Sequence, residues 1–336
     1  MNESVRVIGL DYHDQVIQAC VLDGAGRMLR NDQVANDWRA VVRCVGRHGG
    51  AVRAAIEACN GAADLADELV AHAGWSVTLA HPGYVQRMRQ RRDKTDFSDA
   101  RLLADLERVG YLPRVWLAPE KIRELRRLVR WRQQKAREKR ALKLRIGAML
   151  REQRIEQPPV SRWTVQWMRW LRRTEQLSEQ GRWIRDRHLE DLERVQDQIG
   201  QAEARLRALT DEDPIVARLV EYKGVGWWTA CVLRAEIGRF DRFASGKQLS
   251  HFSGLSPRNA SSGTRQADAG LIDACNGELR RTLIELAHRL MRWEPRWHAM
   301  AAQMLARGKK KSLIAAAVGN RWLRWLWHQM KEVQAD

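Results

Sequence analysis

Residues 5–34, VRVIGLDYHDQVIQACVLDGAGRMLRNDQV, decide the fold of the first part of the chain. Apolar runs at 5–10 and 15–22 predict two strands, because short runs rich in β-branched residues pack well in a sheet. Asp23-Gly-Ala-Gly26 has the composition of a hairpin turn, and residues 27–34 then predict the return strand. The fold is therefore expected to open with three antiparallel strands.

Beyond residue 35 the pattern changes to alternating helices and strands. Helices are predicted at 36–47, 61–73 and 84–109, the last as one helix or two, with strands at 51–56 and 75–80. Three antiparallel strands followed by such units predict an α/β layered domain. We assign it to residues 1–118.

The remainder of the chain is predicted to be helical. A long arginine-rich helix at 120–156 ends at Gln157-Pro-Pro, because proline interrupts helices. A second helix carries apolar residues at the 3-4 spacing of a coiled-coil seam. They are Leu192, Val195, Ile199, Ala202, Leu206 and Leu209. This seam packs either against the long helix of the same chain or against a second copy, so we assign residues 119–210 to a helical coiled-coil region.

Residues 211–336 form the third predicted domain. Helices are expected at 215–222, 229–237 and 279–292, followed by a basic, tryptophan-rich C-terminal helix. A glycine- and serine-rich stretch at 253–270 is expected to be a loop. The fold class is thus α/β followed by α.

The net charge of +18 lies in the second part of the chain. Residues 1–118 contain as many basic as acidic residues, so the whole excess falls in residues 119–336. A neutral unit joined to a strongly basic one is typical of a catalytic unit attached to a region that binds a polyanion. Nucleic acid fits better than a membrane surface, because the basic helices lack a strongly apolar opposite face.

The sequence also lacks the features of membrane-spanning, secreted and zinc-binding proteins. No apolar run is long enough to span a bilayer, and the first ten residues lack the pattern of a signal peptide. We therefore expect a cytoplasmic protein with no membrane partner. The five cysteines lack zinc-finger spacing and the nine histidines form no HExxH-type motif, so we expect reduced structural thiols and no zinc site.

Four acidic residues fall where one fold would bring them together. Asp11 directly follows the first strand, Glu57 ends the fourth, and Asp96 and Asp99 lie three apart on one helix face. Each alone has an ordinary interpretation as a cap or a surface charge. Together they would repel one another unless cations bind, and oxygen ligands suit Mg²⁺ or Mn²⁺. The basic segment 87–94, RMRQRRDK, directly precedes Asp96 and suits a phosphate backbone.

The residues of the C-terminal part give weaker signals. Lys223-Gly-Val-Gly226 before a helix is typical either of a helix-hairpin-helix phosphate contact or of an ordinary turn between packed helices. Serines in a glycine-rich loop, such as Ser261 and Ser262, are usually turn residues. The fifteen tryptophans favour core packing over base stacking.

Short motifs of this chain resemble those of the DEDD-type insertion-sequence transposases, a family described as bridge-RNA-guided serine recombinases and related to pilin-gene DNA invertases. The N-terminal motifs are Gly9-Leu-Asp11, Ile56-Glu57-Ala58 and Lys94-Thr-Asp96-Phe-Ser-Asp99-Ala100. The C-terminal motifs are Gly224-Val-Gly226, Glu236-Ile-Gly238, Arg242-Phe243, Gly254-Leu-Ser-Pro257, Ser261-Ser-Gly263 and Arg280-Arg281. They occur in the family's order over nearly the whole chain, although Asp273 stands where a basic residue is expected.

The resemblance implies a ribonuclease H-like (RuvC-like) N-terminal domain whose acidic tetrad, Asp11, Glu57, Asp96 and Asp99, binds Mg²⁺ or Mn²⁺. It implies a C-terminal transposase domain in which Ser262 or Ser261 is the nucleophile, Ser262 being slightly preferred. It also implies a structured guide RNA as partner, DNA as substrate, and a homodimer or homotetramer.

Two other functions compete with this one: a metal-dependent nuclease like a Holliday-junction resolvase, and a non-catalytic nucleic-acid-binding protein. The residues expected to contact nucleic acid are basic side chains near the two candidate sites. They are Arg89, Arg91, Arg92, Lys94, Lys223, Arg258 and Arg265.

Overall fold

A computed structural model describes residues 5–46, 50–88, 95–259, 268–272 and 275–333. The chain divides into two compact units, residues 1–119 and residues 120–336. The first is a mixed α/β unit and the second is almost entirely helical. An α/β part followed by a helical remainder is the fold class that the sequence predicts, and it is confirmed at this level.

The first unit is built on a sheet of six strands in the order β3-β2-β1-β4-β5-β6. Its elements in chain order are β1 (Arg6–Tyr12), β2 (Val16–Leu22), β3 (Met28–Ala35), α1 (Trp38–Val45), β4 (Val52–Glu57), α2 (Ala62–Ala73), β5 (Ser76–Ala80), α3 (Pro82–Met88), α4 (Asp96–Arg108) and β6 (Arg114–Val115). β1, β2 and β3 pair antiparallel, whereas β4 and β5 continue parallel to β1. The helix predicted at 84–109 is therefore two helices.

Helices cover both faces of the central strands, which explains why β1 and β2 are apolar almost throughout. Ile8 and Leu10 of β1 pack with Val41 of α1 and Leu69 of α2 in the larger core. On the other face, Cys20 and Leu22 of β2 pack with Ala100 and Ala104 of α4. β6 was not predicted, because a strand of two residues is too short to show an alternating pattern.

The second unit begins with a pair of long helices. Its elements are α5 (Glu120–Glu152), α6 (Val165–Arg173), α7 (Glu179–Thr210), α8 (Pro214–Val220), α9 (Trp227–Ile237), α10 (Gly246–Phe252), β7 (Pro257–Asn259), β8 (Asp268–Leu271), α11 (Gly277–Trp293), α12 (Pro295–Ala306) and α13 (Lys311–Met330). None of the helices in the described ranges is long and apolar enough to cross a membrane.

The apolar seam of α7 packs against α5 of the same chain. Leu192 and Val195 cluster with Leu142, near the C-terminal part of α5, whereas Leu206 clusters with Leu125 and Val129 near its start. The two helices therefore run antiparallel. Leu209, the last position of the predicted seam, remains 45% exposed.

The C-terminal core surrounds α9, which is buried at every position from Thr229 to Ile237. α8, α10, α11 and α13 pack around it through leucine, isoleucine and tryptophan side chains, including the fully buried Trp322. The expectation that residues 253–270 form only a loop was wrong, because β7 and β8 pair antiparallel within it. Strands of three and four residues are too short to be recognised in a glycine- and serine-rich stretch.

Candidate functional site

Two of the four predicted acids lie at the same edge of the sheet. β1 pairs parallel with β4, with Leu10 opposite Ile56, so Asp11 and Glu57 follow on neighbouring strands. The carboxyl ends of neighbouring parallel strands meet at one edge, the usual place for a functional site in an α/β fold. Both side chains are partly buried.

The other two acids are positioned by the start of α4. Thr95 is its N-cap, and it forms a capping box with Ser98, whose backbone amide donates to Thr95 Oγ1 at 3.2 Å. This box fixes Asp96 and Asp99 in the first turn, where the helix dipole favours negative charge. Asp99 is almost fully buried and Asp96 is half exposed.

A glycine in β1 lets α4 lie directly against the sheet. A Cβ atom at Gly9 would stand 2.5 Å from the backbone nitrogen of Ala104 and would collide with the carbonyl oxygen of Ala100. Only glycine permits this approach. The Gly9-Leu-Asp11 motif therefore has a structural reason: its glycine seats the helix that carries two acids, and its aspartate is the third.

The start of α4 is also tied to the outer strands. Gln18, which lies opposite Asp11 on β2, donates from Nε2 to Asn31 Oδ1 at 2.8 Å. Asn31 of β3 in turn donates from Nδ2 to the backbone oxygen of Phe97 at 3.0 Å. This chain of hydrogen bonds holds the first turn of α4 above the end of β1.

A histidine joins the acids at the centre of this site. His13 Nε2 lies 3.4 Å from Asp11 Oδ2 and 3.5 Å from Asp96 Oδ1. One ligand atom from each of these three residues lies within 4.8 Å of the other two, a spacing that could hold a metal ion. Sequence reasoning missed His13. The signal available in the sequence was its position two residues after Asp11, because residues two apart on an extended chain share a face.

The electrostatics of Asp11 reflect this crowding. Burial raises the pKa of Asp11 above its ordinary value, and the carboxylates of Asp99, Asp96 and Glu57 raise it further, whereas His13 lowers it. Among the described residues no donor hydrogen-bonds the buried Asp11 Oδ2, because the contact with His13 Nε2 at 3.4 Å does not have the geometry of a hydrogen bond. A buried carboxylate oxygen with no donor, among other acids, is well suited to a divalent cation.

The second predicted site falls largely outside the described residues. Ser261 and Ser262 lie between β7 and β8, and Arg265 and Asp273 are also outside the described ranges, as are Arg89, Arg91, Arg92 and Lys94 of the basic segment. Lys223 is exposed in the turn before α9, and Arg258 is exposed on β7. Both residues belong to the second unit, whereas the carboxylate cluster belongs to the first.

The residues that flank β7 and β8 contact the start of α11 closely. Gly254 has a positive φ of 73°, and a Cβ there would collide with Cys275 and Arg280. Arg280 donates to the backbone oxygen of Ile272, directly after β8. The glycine and the arginine of two sequence motifs thus meet where the hairpin joins the helical core.

A buried glutamate links α9 to α5 and to the start of α11. Glu236 of α9 accepts two hydrogen bonds of 2.9 Å from Arg130 and one of 2.6 Å from Asn276 Nδ2. Asn276 also caps α11, accepting from the amide of Leu279 at 3.0 Å. The side chain of Glu236 is fully buried, so these three bonds compensate for its lost hydration.

Comparison with known proteins places this molecule among the transposases. A model of DEDD transposases of the IS110 type matches residues 8–154, and a model described as transposase IS116/IS110/IS902 family matches residues 216–302. The two cover more than two thirds of the chain. The chain therefore belongs to the IS110 family of transposases, enzymes that cleave DNA and transfer its strands.

Curated relatives agree with the family models. The chain is 27% identical to the putative transposase y4qE of Sinorhizobium fredii, over 79% of this chain and 72% of that protein. It is 24% identical to the transposase for insertion sequence element IS1111A of Coxiella burnetii, over 96% and 89% of the two chains. It is 26% identical to a probable family 20 transposase of Pseudomonas aeruginosa, over 96% and 92%.

Proposed function

We propose that this transposase moves an insertion sequence by cleaving DNA with a serine nucleophile, assisted by a divalent cation held by Asp11, Glu57, Asp96 and Asp99. The observation that carries the proposal is the convergence of β1, β4 and α4, which sets one acid of β4 and two acids of α4 within electrostatic reach of Asp11 on β1. Mg²⁺ and Mn²⁺ are the cations that such oxygen ligands prefer.

We assign the first unit to the ribonuclease H-like class. Three antiparallel strands, continued by two parallel strands in the order β3-β2-β1-β4-β5, support this assignment. The acids at the carboxyl end of β1 and β4 support it further, because they lie where the chemistry of such a fold is expected.

The residues of the cluster would act on a phosphate group of DNA. The four acids would hold the cation, which when bound would neutralise charge on the phosphate and stabilise the leaving oxygen. The partly buried Asp11 and the buried Asp99 would fix the position of the charge, while the half-exposed Asp96 would lie on the side that DNA approaches. The basic segment at 87–94 directly precedes Asp96 in sequence and would bind the backbone on either side.

In the covalent step, the Oγ of Ser262 or Ser261 attacks phosphorus. A bond from serine oxygen to phosphorus forms while the bond from phosphorus to the sugar oxygen of one strand breaks. The proton leaves the serine hydroxyl, and the departing sugar oxygen accepts a proton. The phosphoserine ester conserves the free energy of the broken phosphodiester bond. The sugar hydroxyl of a second strand can therefore displace the serine and complete the exchange.

The partners proposed are donor and target DNA, a structured guide RNA and further copies of the chain. The excess positive charge of residues 119–336 supports a large nucleic-acid interface. Strand exchange requires two duplexes to be held together, which a homodimer or homotetramer would do. Lys223, Arg258 and Arg265 are the contacts proposed for the second unit.

The decisive experiment looks for a protein–DNA adduct. Purified full-length protein is incubated with Mg²⁺, the RNA transcribed from the element's flank and labelled junction DNA, then resolved on a denaturing gel. We expect an adduct that is lost in the Ser261→Ala/Ser262→Ala double variant and in Asp11→Asn. The two single serine variants identify the nucleophile.

Other outcomes favour the competing functions. Cleavage without an adduct that persists in the double serine variant would overturn the serine mechanism in favour of a resolvase-like nuclease, in which water attacks. Tight DNA binding that survives Asp11→Asn, with no cleavage under any RNA or DNA tested, would favour a non-catalytic binding protein.

A further inference from the structure

We propose that His13 is a direct ligand of the cation in the carboxylate cluster, and that its nitrogen gives Mn²⁺ an advantage over Mg²⁺ at this site. The inference rests on the proposed cation site, and it extends the ligand set from carboxylate oxygens to an imidazole nitrogen.

The placement of His13 supports this role. Its Nε2 atom is 3.4 Å from Asp11 Oδ2 and 3.5 Å from Asp96 Oδ1. Neighbouring ligands at right angles around an ion with bonds of about 2.1 Å lie roughly 3 Å apart. His13 Nε2 therefore stands at close to this spacing from an oxygen of each acid, and one ligand atom from each of the three residues lies within 4.8 Å of the other two.

The local backbone explains why the imidazole faces the acids. His13 follows the last residue of β1, two positions after Asp11, and its amide donates to Val16 O at 3.0 Å in the turn to β2. Asn36 Nδ2 donates to the His13 carbonyl at 2.9 Å. These two hydrogen bonds fix the backbone of His13. Because side chains two residues apart on an extended chain point to the same face, the imidazole lies on the face that carries Asp11.

The ligand chemistry then sets the preference among cations. Mg²⁺ takes oxygen ligands, whereas transition metals also accept imidazole nitrogen. A set of carboxylates with one imidazole therefore suits Mn²⁺, which binds both kinds of ligand. An ordinary ion pair between a protonated His13 and the two acids is the competing interpretation, and it predicts that cations displace His13 and do not bind it.

The test is spectroscopic, so it does not depend on transposition. Full-length protein is stripped with chelator and loaded with Mn²⁺, and the electron spin echo modulation of bound Mn²⁺ is recorded for nitrogen coupling. Affinities for Mn²⁺ and Mg²⁺ are measured on the same samples by calorimetry. The variants are His13→Gln, which keeps a polar group of similar length, and His72→Gln.

His72 is the matched control. It is an exposed imidazole in the last turn of α2, stacked on Trp38 with the ring centroids 4.8 Å apart. α2 follows β4 and returns to the start of β5, so it ends away from the edge that carries the acids. Removing this imidazole changes the number of histidines in the unit without touching the cluster.

We expect imidazole nitrogen coupling in the wild type and in His72→Gln, and none in His13→Gln. The Mn²⁺ dissociation constant should rise about tenfold in His13→Gln, which is the scale of losing a metal-site partner, while that for Mg²⁺ changes little. Bound Mn²⁺ without nitrogen coupling in the wild type would overturn the role of His13 and leave the carboxylate site intact. If no cation binds, or if binding is unaffected by Asp11→Asn, the cation site fails and this inference fails with it.

Discussion

At the scale of single residues, the absence of a side chain at Gly9 determines how closely α4 packs on β1. A methyl group there would meet the backbone of α4, and backbone, unlike a flexible side chain, has no other rotamer to adopt. We expect Gly9→Ala to lower the free energy of unfolding by about 3 kcal/mol and to weaken Mn²⁺ binding, because the helix that carries Asp96 and Asp99 must move away.

The control for this variant is Gly24→Ala. Gly24 lies in the turn after β2, and the atom nearest to an added Cβ there is 3.9 Å away, so the same chemical change should cost little. Urea unfolding and a cation titration of both variants make the comparison. Equal unfolding midpoints would show that α4 does not depend on the glycine.

Asp11 is expected to be a residue at which stability and function conflict. Because burial raises its pKa, the ionised carboxylate destabilises the folded protein. This penalty is absent below the ordinary pKa of 3.8 and grows as the pH rises through the raised pKa of the folded state. In chelator at pH 7, Asp11→Asn should therefore have a higher melting temperature than the wild type.

The size of this difference should depend on pH, and its sign on whether the cation is present. Melting curves between pH 4 and pH 7.5 should show the gap closing towards the acid end. Adding Mn²⁺ should stabilise the wild type and not the variant, because a ligand of the native state shifts unfolding by mass action. A variant that is less stable than the wild type in chelator at pH 7 would contradict this account of Asp11.

At the scale of elements, two positions of the predicted seam on α7 differ in how far the packing of α7 against α5 buries them. Leu206 is fully buried against α5 and α9, whereas Leu209 is 45% exposed. We expect Leu206→Ala to cost about 2–5 kcal/mol of unfolding free energy and Leu209→Ala less than about 0.5 kcal/mol. Chemical denaturation measures both, and light scattering of Leu209→Ala reports whether the exposed end of the seam contributes to self-association.

At the scale of the whole molecule, the sequence was informative where regular patterns extend over many residues. The largely apolar stretch 5–10 before Asp11, the hairpin turn after Leu22 and the 3-4 spacing on α7 each predict an element because several side chains repeat one signal. The position of an acid at a strand end predicts its neighbours, since parallel strands end at a common edge. The mixed α/β unit and the helical remainder followed from these patterns.

Features that depend on one or two residues were not predictable. His13 belongs to no sequence motif, because it gains its significance only when the start of α4 brings Asp96 next to it. β6, β7 and β8 are too short for alternation to be visible. The roles of Ser261 and Ser262 remain predictions that come from the resemblance, because hydroxyl groups in a glycine- and serine-rich stretch carry no distinctive pattern.

The close seating of α4 on Gly9 has a consequence for the decay of insertion sequences in genomes. If Gly9→Ala displaces α4 as expected, a copy of the element would lose its ability to move through a change at codon 9 while all four acidic codons stay intact. Surveys that score a copy as active from its acids alone would therefore count dead copies as live ones. Adding this glycine to the criteria would make such a census of mobile DNA more accurate.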